Sequence, residues 1–227
     1  VLFSATSPPE IGKLAEGLLH QPVPVDVAPR NTAAETVVQK VIECNREQKK
    51  DLLKHLFESR SLHQVLVFAR TKHGADALAR TLDKAGIKAA AIHGDKSQGA
   101  RTRVLSEFKE GKLAALVATD IAARGIDIDA LPYVINYELP NVPEDYVHRI
   151  GRTGRAGNTG QAISLVCADE VNMLAAIEVL TGQLLKRVDE QDFEPEHRVQ
   201  LTDASGQVLK KAKKPKKPKI VGGGGKK

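Results

Sequence analysis

Three arginines, one histidine and three glycines fall within the twelve residues Tyr146–Gly157, YVHRIGRTGRAG. Arginine offers a planar fork of donors to phosphate oxygens and stays charged at any working pH. Glycine lets a backbone come close to a ligand. Just upstream, Asn141-Val142-Pro143-Glu144 reads as a helix start, with a capping-type side chain, an early proline and an acidic first turn. If that helix runs through the arginines, His148, Arg152 and Arg155 share one face, and Arg149 points about 100° away. Such a face presents two guanidinium groups and an imidazole to an anion. For Arg149 the expectation is an intradomain salt bridge to a carboxylate.

Three further stretches carry unusual chemistry, each directly after an apolar run. Arg70-Thr71-Lys72 follows Gln64–Ala69, His93–Arg101 (HGDKSQGAR) follows Lys88–Ile92, and Thr119–Asp127 (TDIAARGID) follows Ala114–Ala118. Any one of them taken alone reads better as a polar loop with a helix cap, since Ser97, Thr119 and Asp120 are good capping residues. Four such stretches, expected on the same edge of one sheet, point to a shared ligand surface. No GxxxxGK[ST] phosphate loop occurs, so the chain has no cradle of its own for nucleotide phosphates and Mg²⁺. Arginines without a cradle suggest fingers extended to a nucleotide held elsewhere, a device worth about 10³–10⁵ in rate. The same absence disfavours a free-standing kinase or GTPase.

The elements that would position these residues alternate. Strands are expected at Val37–Cys44, Gln64–Ala69, Lys88–Ile92, Ala114–Ala118, Tyr133–Asn136 and Ala162–Cys167. Several are continuous Val, Ile and Leu runs, as strands covered on both faces of a parallel sheet require. Helices are expected between them at Glu47–Ser59, His73–Ala85, Ser97–Glu110 and Ala168–Thr181, with Gly86, Gly111 and Gly182 as stop signals. This alternation predicts an α/β fold with an open, doubly wound, mainly parallel sheet and helices on both faces. Ligands on such sheets sit beyond the carboxyl ends of the strands.

The 227 residues carry a formal net charge of +6, but nine lysines and no acid lie in residues 210–227, which leaves the remainder at −3. Any nucleic-acid surface on the folded part is therefore local. The Lys-rich end, with Pro215, Pro218 and Gly222–Gly225, is expected to be disordered, serving either as a phosphate-attracting tail or simply as a solvated one. No apolar run is long enough to span a membrane and no secretory signal opens the chain. Cys44 and Cys167 lie in apolar stretches and are expected to be buried reduced thiols, so a cytoplasmic location is expected.

In this order the stretches resemble the second RecA-like lobe of a DEAD-box ATP-dependent RNA helicase. Ser4-Ala5-Thr6 is similar to motif III, Phe68–Thr71 to motif IV, His93–Arg101 to motif IVa, Thr119–Asp127 to motif V and His148–Arg155 to motif VI. The wording around Arg70–Gly74 and Gly94–Arg103 is similar to the bacterial RhlE branch. The resemblance divides the chain into the end of a first RecA-like lobe (1–27), an interlobe linker (28–35), the second lobe (36–195) and a flexible Lys-rich tail (196–227). The family's phosphate loop and DEAD sequence belong upstream of Ser4, so the chain is expected to be one part of a two-lobed enzyme and inactive alone as an ATPase.

The resemblance also implies roles. Arg152 and Arg155 would be the catalytic fingers on the γ-phosphate of ATP, which is bound with Mg²⁺ mainly by the first lobe. Gly125 and Asp127 would join them at the nucleotide, Asp127 facing the ribose hydroxyls. Thr71, Gly94, Gln98, Arg101 and Thr119 would hold the sugar-phosphate backbone of single-stranded or short duplex RNA without reading its sequence. His148, Ser4, Thr6 and Asp120 would couple the lobes. No metal ligand is expected within this chain, and no protein partner is named by the resemblance. An aromatic content of 4% fits backbone grip better than base stacking. A DNA-directed relative is disfavoured by the wording of motif VI.

Overall fold

The computed structural model describes residues 9–20, 23, 37–128, 130–154 and 159–210. The elements are α1 (Pro9–Leu18), β1 (Val37–Glu43), α2 (Lys49–Ser59), β2 (Val65–Phe68), α3 (Lys72–Lys84), β3 (Ala89–Ile92), α4 (Gln98–Lys109), β4 (Ala115–Ala118), α5 (Asp120–Ala123), β5 (Tyr133–Asn136), α6 (Pro143–Ile150), β6 (Gly160–Val166), α7 (Val171–Thr181), β7 (Lys186–Val188), β8 (Leu201–Thr202) and β9 (Val208–Lys210). Seven strands form one sheet in the order β3-β4-β2-β5-β6-β1-β7, and every pairing in it is parallel. This is the parallel α/β arrangement that the alternation implied, and it agrees with the RecA-like lobe implied by the resemblance.

Strand residues alternate between two cores because successive side chains leave a strand on opposite faces. Val65 and Val67 of β2 face one core, with Val117, Ile135, Ile163, and Leu52, Leu56, Leu78 and Leu82 from α2 and α3. Leu66 and Phe68 face the other side, where Phe108 of α4 and Ala122 and Ala123 of α5 pack. Farther along that side, Ala162 and Val166 of β6 meet Tyr146 and Ile150 of α6 and Leu174 and Ile177 of α7. Helices thus cover both faces, which is why these strands read as unbroken apolar runs.

The sequence-expected helices form with shifted ends. The stretch from Glu47 begins as a 3-10 turn at Arg46–Gln48, and the stretch from Ala168 begins as another at Ala168–Glu170. Cys44 and Cys167 are buried free thiols at the ends of neighbouring strands, where the Cys44 amide donates to the Val166 carbonyl at 3.1 Å.

Two expectations are corrected. The cap of α6 is Val142, not Asn141, and it makes no side-chain hydrogen bond, so Pro143 at the first helical position and the acids Glu144 and Asp145 mark the start instead. Residues 196–210, expected to begin a flexible tail, are folded: β8 and β9 form an antiparallel hairpin. Val199 and Thr202 are buried, the Thr202 hydroxyl donates to Glu178 at 2.6 Å, and Arg187 donates to the carbonyls of Val199 and Gln200. The remaining tail residues, 211–227, and the linker region lie outside the described residues.

Candidate functional site

Thr71, Gly94 and Thr119 stand directly beyond the carboxyl ends of β2, β3 and β4, which are neighbours in the sheet. Main-chain bonds stitch these loops together, since Ala69 donates to Ala118 at 3.0 Å and Thr119 to Ile92 at 3.4 Å. Thr71 caps α3, its Oγ1 accepting from the Gly74 amide at 3.0 Å, and a Cβ on Gly74 would sit 2.9 Å from that oxygen. Ser97 caps α4 in the same way, accepting from Ala100 at 3.3 Å. Gly94 and Gln98 are exposed, with nothing within 4 Å of a Cβ built at Gly94. Arg101, one turn into α4, reaches the Ala122 carbonyl at 3.4 Å with Nη2, while its buried Nε has no hydrogen-bond partner. This edge offers hydroxyls, exposed backbone and a guanidinium, which suits sugar and phosphate oxygens.

The arginine stretch does not share that edge. Helix α6 ends at Ile150 with Gly151 as its cap, so the expected helical face through Arg155 is not formed. The helix instead carries Arg152 along the sheet toward the amino-terminal ends of β5 and β6. There the Leu131 amide donates to the Arg152 carbonyl at 3.0 Å, and Thr153 bridges to Leu131. A Cβ on Gly160, the first residue of β6, would lie 2.0 Å from Thr153 Oγ1 and 2.2 Å from the Gly154 amide nitrogen. Gly160 is thus required by this turn, and only its place at the head of a strand hinted at so close a backbone approach.

Arg152 donates to the Ile126 carbonyl at 3.4 Å, which brings it beside Gly125 and Asp127. Gly125 has φ +73, a conformation that glycine adopts without cost. The Asp127 carboxylate is 96% exposed and pairs with Lys109 at 2.8 Å; the Lys109 hydrogen bond holds it below the ordinary aspartate range. An exposed pair of this kind opens readily, so Asp127 is ionised and accessible. The features gathered here, an arginine, a left-handed glycine and an exposed carboxylate, suit a nucleotide's phosphate and ribose.

Between edge and corner lies a buried hub. Arg149, 1% exposed, donates from Nε to Asp120 Oδ1 at 2.6 Å and from Nη2 to Oδ2 at 2.8 Å. It also donates to Asn136 Oδ1 at 3.1 Å and the Glu138 carbonyl at 2.7 Å, and stacks 4.7 Å from the Phe68 ring centroid. The expected salt bridge of Arg149 therefore exists, and its partner is Asp120, whose two oxygens are both engaged. His148 lies beside this hub. Its Nδ1 is buried without a hydrogen-bond partner, 3.7 Å from Asp145 Oδ1, and Asp145 pairs with Arg124. The involvement of Arg124 and Asp145 was not foreseen, because no spacing rule joins positions so far apart in sequence.

Ser4, Thr6 and Arg155 lie outside the described residues. Among the described residues no group of three or more His, Cys, Asp or Glu side chains comes together to hold a metal ion, and no helix is long and apolar enough to cross a membrane. A concavity of about 670 Å³ is lined by Phe57, His63, Gln64, Lys88, Lys109 and Lys112 and includes none of the predicted site residues.

Comparison with known proteins places this geometry among relatives. The Helicase conserved C-terminal domain family matches residues 48–157. The DEAD-box ATP-dependent RNA helicase CshA of Bacillus subtilis is 43% identical over 190 residues, covering 84% of this chain and 38% of that protein. CshA of Geobacillus kaustophilus is likewise 43% identical, with 40% of its length covered. The chain thus spans about two fifths of these curated relatives. Among solved structures, E. coli DEAD-box protein SrmB bound to regulator of ribonuclease activity A is 35% identical with a TM-score of 0.68, covering 72% of this chain and 96% of that one. S. cerevisiae Dbp5 bound to RNA and ADP BeF3 is 32% identical with a TM-score of 0.76, covering 84% of this chain and 51% of that one.

Proposed function

The chain belongs to the DEAD-box RNA helicases as a C-terminal RecA-like lobe, and from that membership we propose that it is the moving half of an ATP-dependent enzyme that opens short RNA duplexes. Its amino-terminal residues would connect to a first lobe that binds ATP with Mg²⁺. Arg152 and Arg155 would then extend their guanidinium groups to the γ-phosphate, stabilising charge as it develops. Gly125 allows the backbone to pass close to the nucleotide, and Asp127 exchanges Lys109 for the ribose hydroxyls. His148 and Asp120, with Ser4 and Thr6 of the preceding lobe's end, would register lobe closure.

Thr71, Gly94, Gln98, Arg101 and Thr119 would grip the RNA sugar-phosphate backbone from the opposite end of the sheet, independent of sequence. The observation that carries this reading is the path of Thr119–Asp127. Within nine residues it runs from the exposed strand edge, through Asp120 in the Arg149 hub, to Gly125 and Asp127 beside Arg152. One short segment thus touches both proposed ligand sites. Dbp5, whose lobe has the same fold, is bound to RNA and ADP BeF3 in its solved structure, which supports the two-site reading.

On this reading the chain alone binds RNA in a salt-sensitive manner and hydrolyses ATP negligibly, because the phosphate cradle is supplied by the other lobe. Anisotropy of labelled oligouridine and phosphate release from ATP, both measured on the purified chain, test this. RNA affinity that falls with salt, together with no ATP turnover, is expected. Appreciable turnover by the chain alone, or no RNA binding at low salt, would overturn it.

A further inference from the structure

One carboxylate ties together the two helices that present the proposed RNA grip. Asp76 lies one turn into α3, downstream of Thr71, and its Oδ2 meets Nε2 of His93 at 3.0 Å. Its other oxygen, Oδ1, meets Nζ of Lys96 at 2.9 Å. His93 and Lys96 are the two ends of the turn that carries Gly94, and that turn is closed by the Lys96 amide donating to the His93 carbonyl at 3.1 Å. Ser97, the cap of α4, follows at once, with Gln98 and Arg101 behind it.

The second link between the same segments, Lys72 to Asp95 at 2.6 Å, is half exposed and screened by water. His93 by contrast is 4% exposed. Its buried Nδ1 has no hydrogen-bond partner. The Asp76 carboxylate can only accept, so His93 Nε2 donates to it. Neither residue adds apolar area to the core. What the dyad does is fix the Gly94 turn and the start of α4 against the start of α3.

We propose that Asp76 and His93 are positioning residues for RNA binding: they hold Gly94, Gln98 and Arg101 at the spacing of successive backbone phosphates relative to Thr71. This rests on the RNA reading given above.

The test measures binding of labelled oligouridine to the full chain by anisotropy across a salt series, for Asp76→Asn, Asp76→Ala, Gln98→Ala and Arg101→Ala. Thermal unfolding is recorded alongside. Asp76→Asn keeps an acceptor for His93 and serves if Asp76→Ala folds poorly. We expect Asp76→Ala to bind about fivefold more weakly, Asp76→Asn to fall between it and wild type, and the salt slope to shrink by about 0.7 for one lost phosphate contact. A folded protein that is merely less stable would keep the wild-type slope, and that result would overturn the positioning role. Wild-type binding by both Asp76 variants, with Gln98→Ala or Arg101→Ala weakened, would overturn this inference alone. Wild-type binding by all four would overturn the RNA reading itself, and this inference with it.

Discussion

Arg149 holds Asp120 by two parallel bonds, Nε to Oδ1 at 2.6 Å and Nη2 to Oδ2 at 2.8 Å, and so fastens α6 to α5. The pair is buried on the arginine side, and that cation also satisfies Asn136 and the Glu138 carbonyl. Removing it leaves several polar groups without their partner. Arg149→Ala is expected to cost about 3 kcal/mol, which lowers the melting temperature by roughly 6–12 °C in a domain of this size. Arg149→Lys should recover little, because an ammonium cannot reproduce the fork. Thermal unfolding checks both, and a loss below about 1 kcal/mol would show that the hub is dispensable.

Gly160 offers a steric test of the turn at Arg152–Gly154. A methyl group there collides with Thr153 Oγ1 and with the Gly154 backbone. Gly160→Ala should destabilise the chain by about 1–3 kcal/mol. Gly99, in the first turn of α4, has nothing within 4 Å of its Cβ position, and Gly99→Ala is expected to stay within about 0.5 kcal/mol of wild type. Urea denaturation of the two variants reads the contrast directly. Equal stabilities would mean that the turn relaxes around the methyl.

Most of the sheet was legible from apolar runs. Tyr133–Asn136 forms as expected, and Gln64–Ala69 and Ala114–Ala118 lose only their first or last residues. Strand β7, Lys186–Val188, was missed because a short edge strand with two cations carries no apolar signature. The hairpin at Leu201–Lys210 escaped notice for a related reason: its order comes from Thr202 on Glu178 and from Arg187 on two carbonyls, contacts across long sequence separations. The arginine stretch shows the limit most clearly. Spacing puts His148, Arg152 and Arg155 on one face only if the helix runs on through the glycines, and it ends instead at Ile150, carrying Arg152 to the far end of β5. Residue types suggested a phosphate-directed chemistry, and only the backbone path told where along the sheet Arg152 stands.

Acid stability follows from Asp76. Burial alone pushes its carboxyl up, but hydrogen bonds from Lys96 and His93 outweigh that and hold it below its ordinary value of 3.8. A depressed folded value means that the stabilisation is fully present above the unfolded value and is lost as pH falls through the folded one. Wild type should therefore exceed Asp76→Asn in stability near neutral pH, and the gap should close as the pH drops from about 5 to about 2. Urea midpoints at several pH values check this. A gap that stays constant over that range would place the effect outside the ionisation of Asp76.

The finger assignment is the central claim, and RNA-stimulated ATP hydrolysis tests it most directly. The measurement uses a two-lobed protein in which this chain follows a first lobe bearing the phosphate loop, with Arg152→Ala and Arg155→Ala made singly. Each should lower kcat by about 10³-fold or more while leaving the melting temperature near wild type, since neither change removes the Arg149 hub. Near-wild-type turnover by both variants would contradict the assignment.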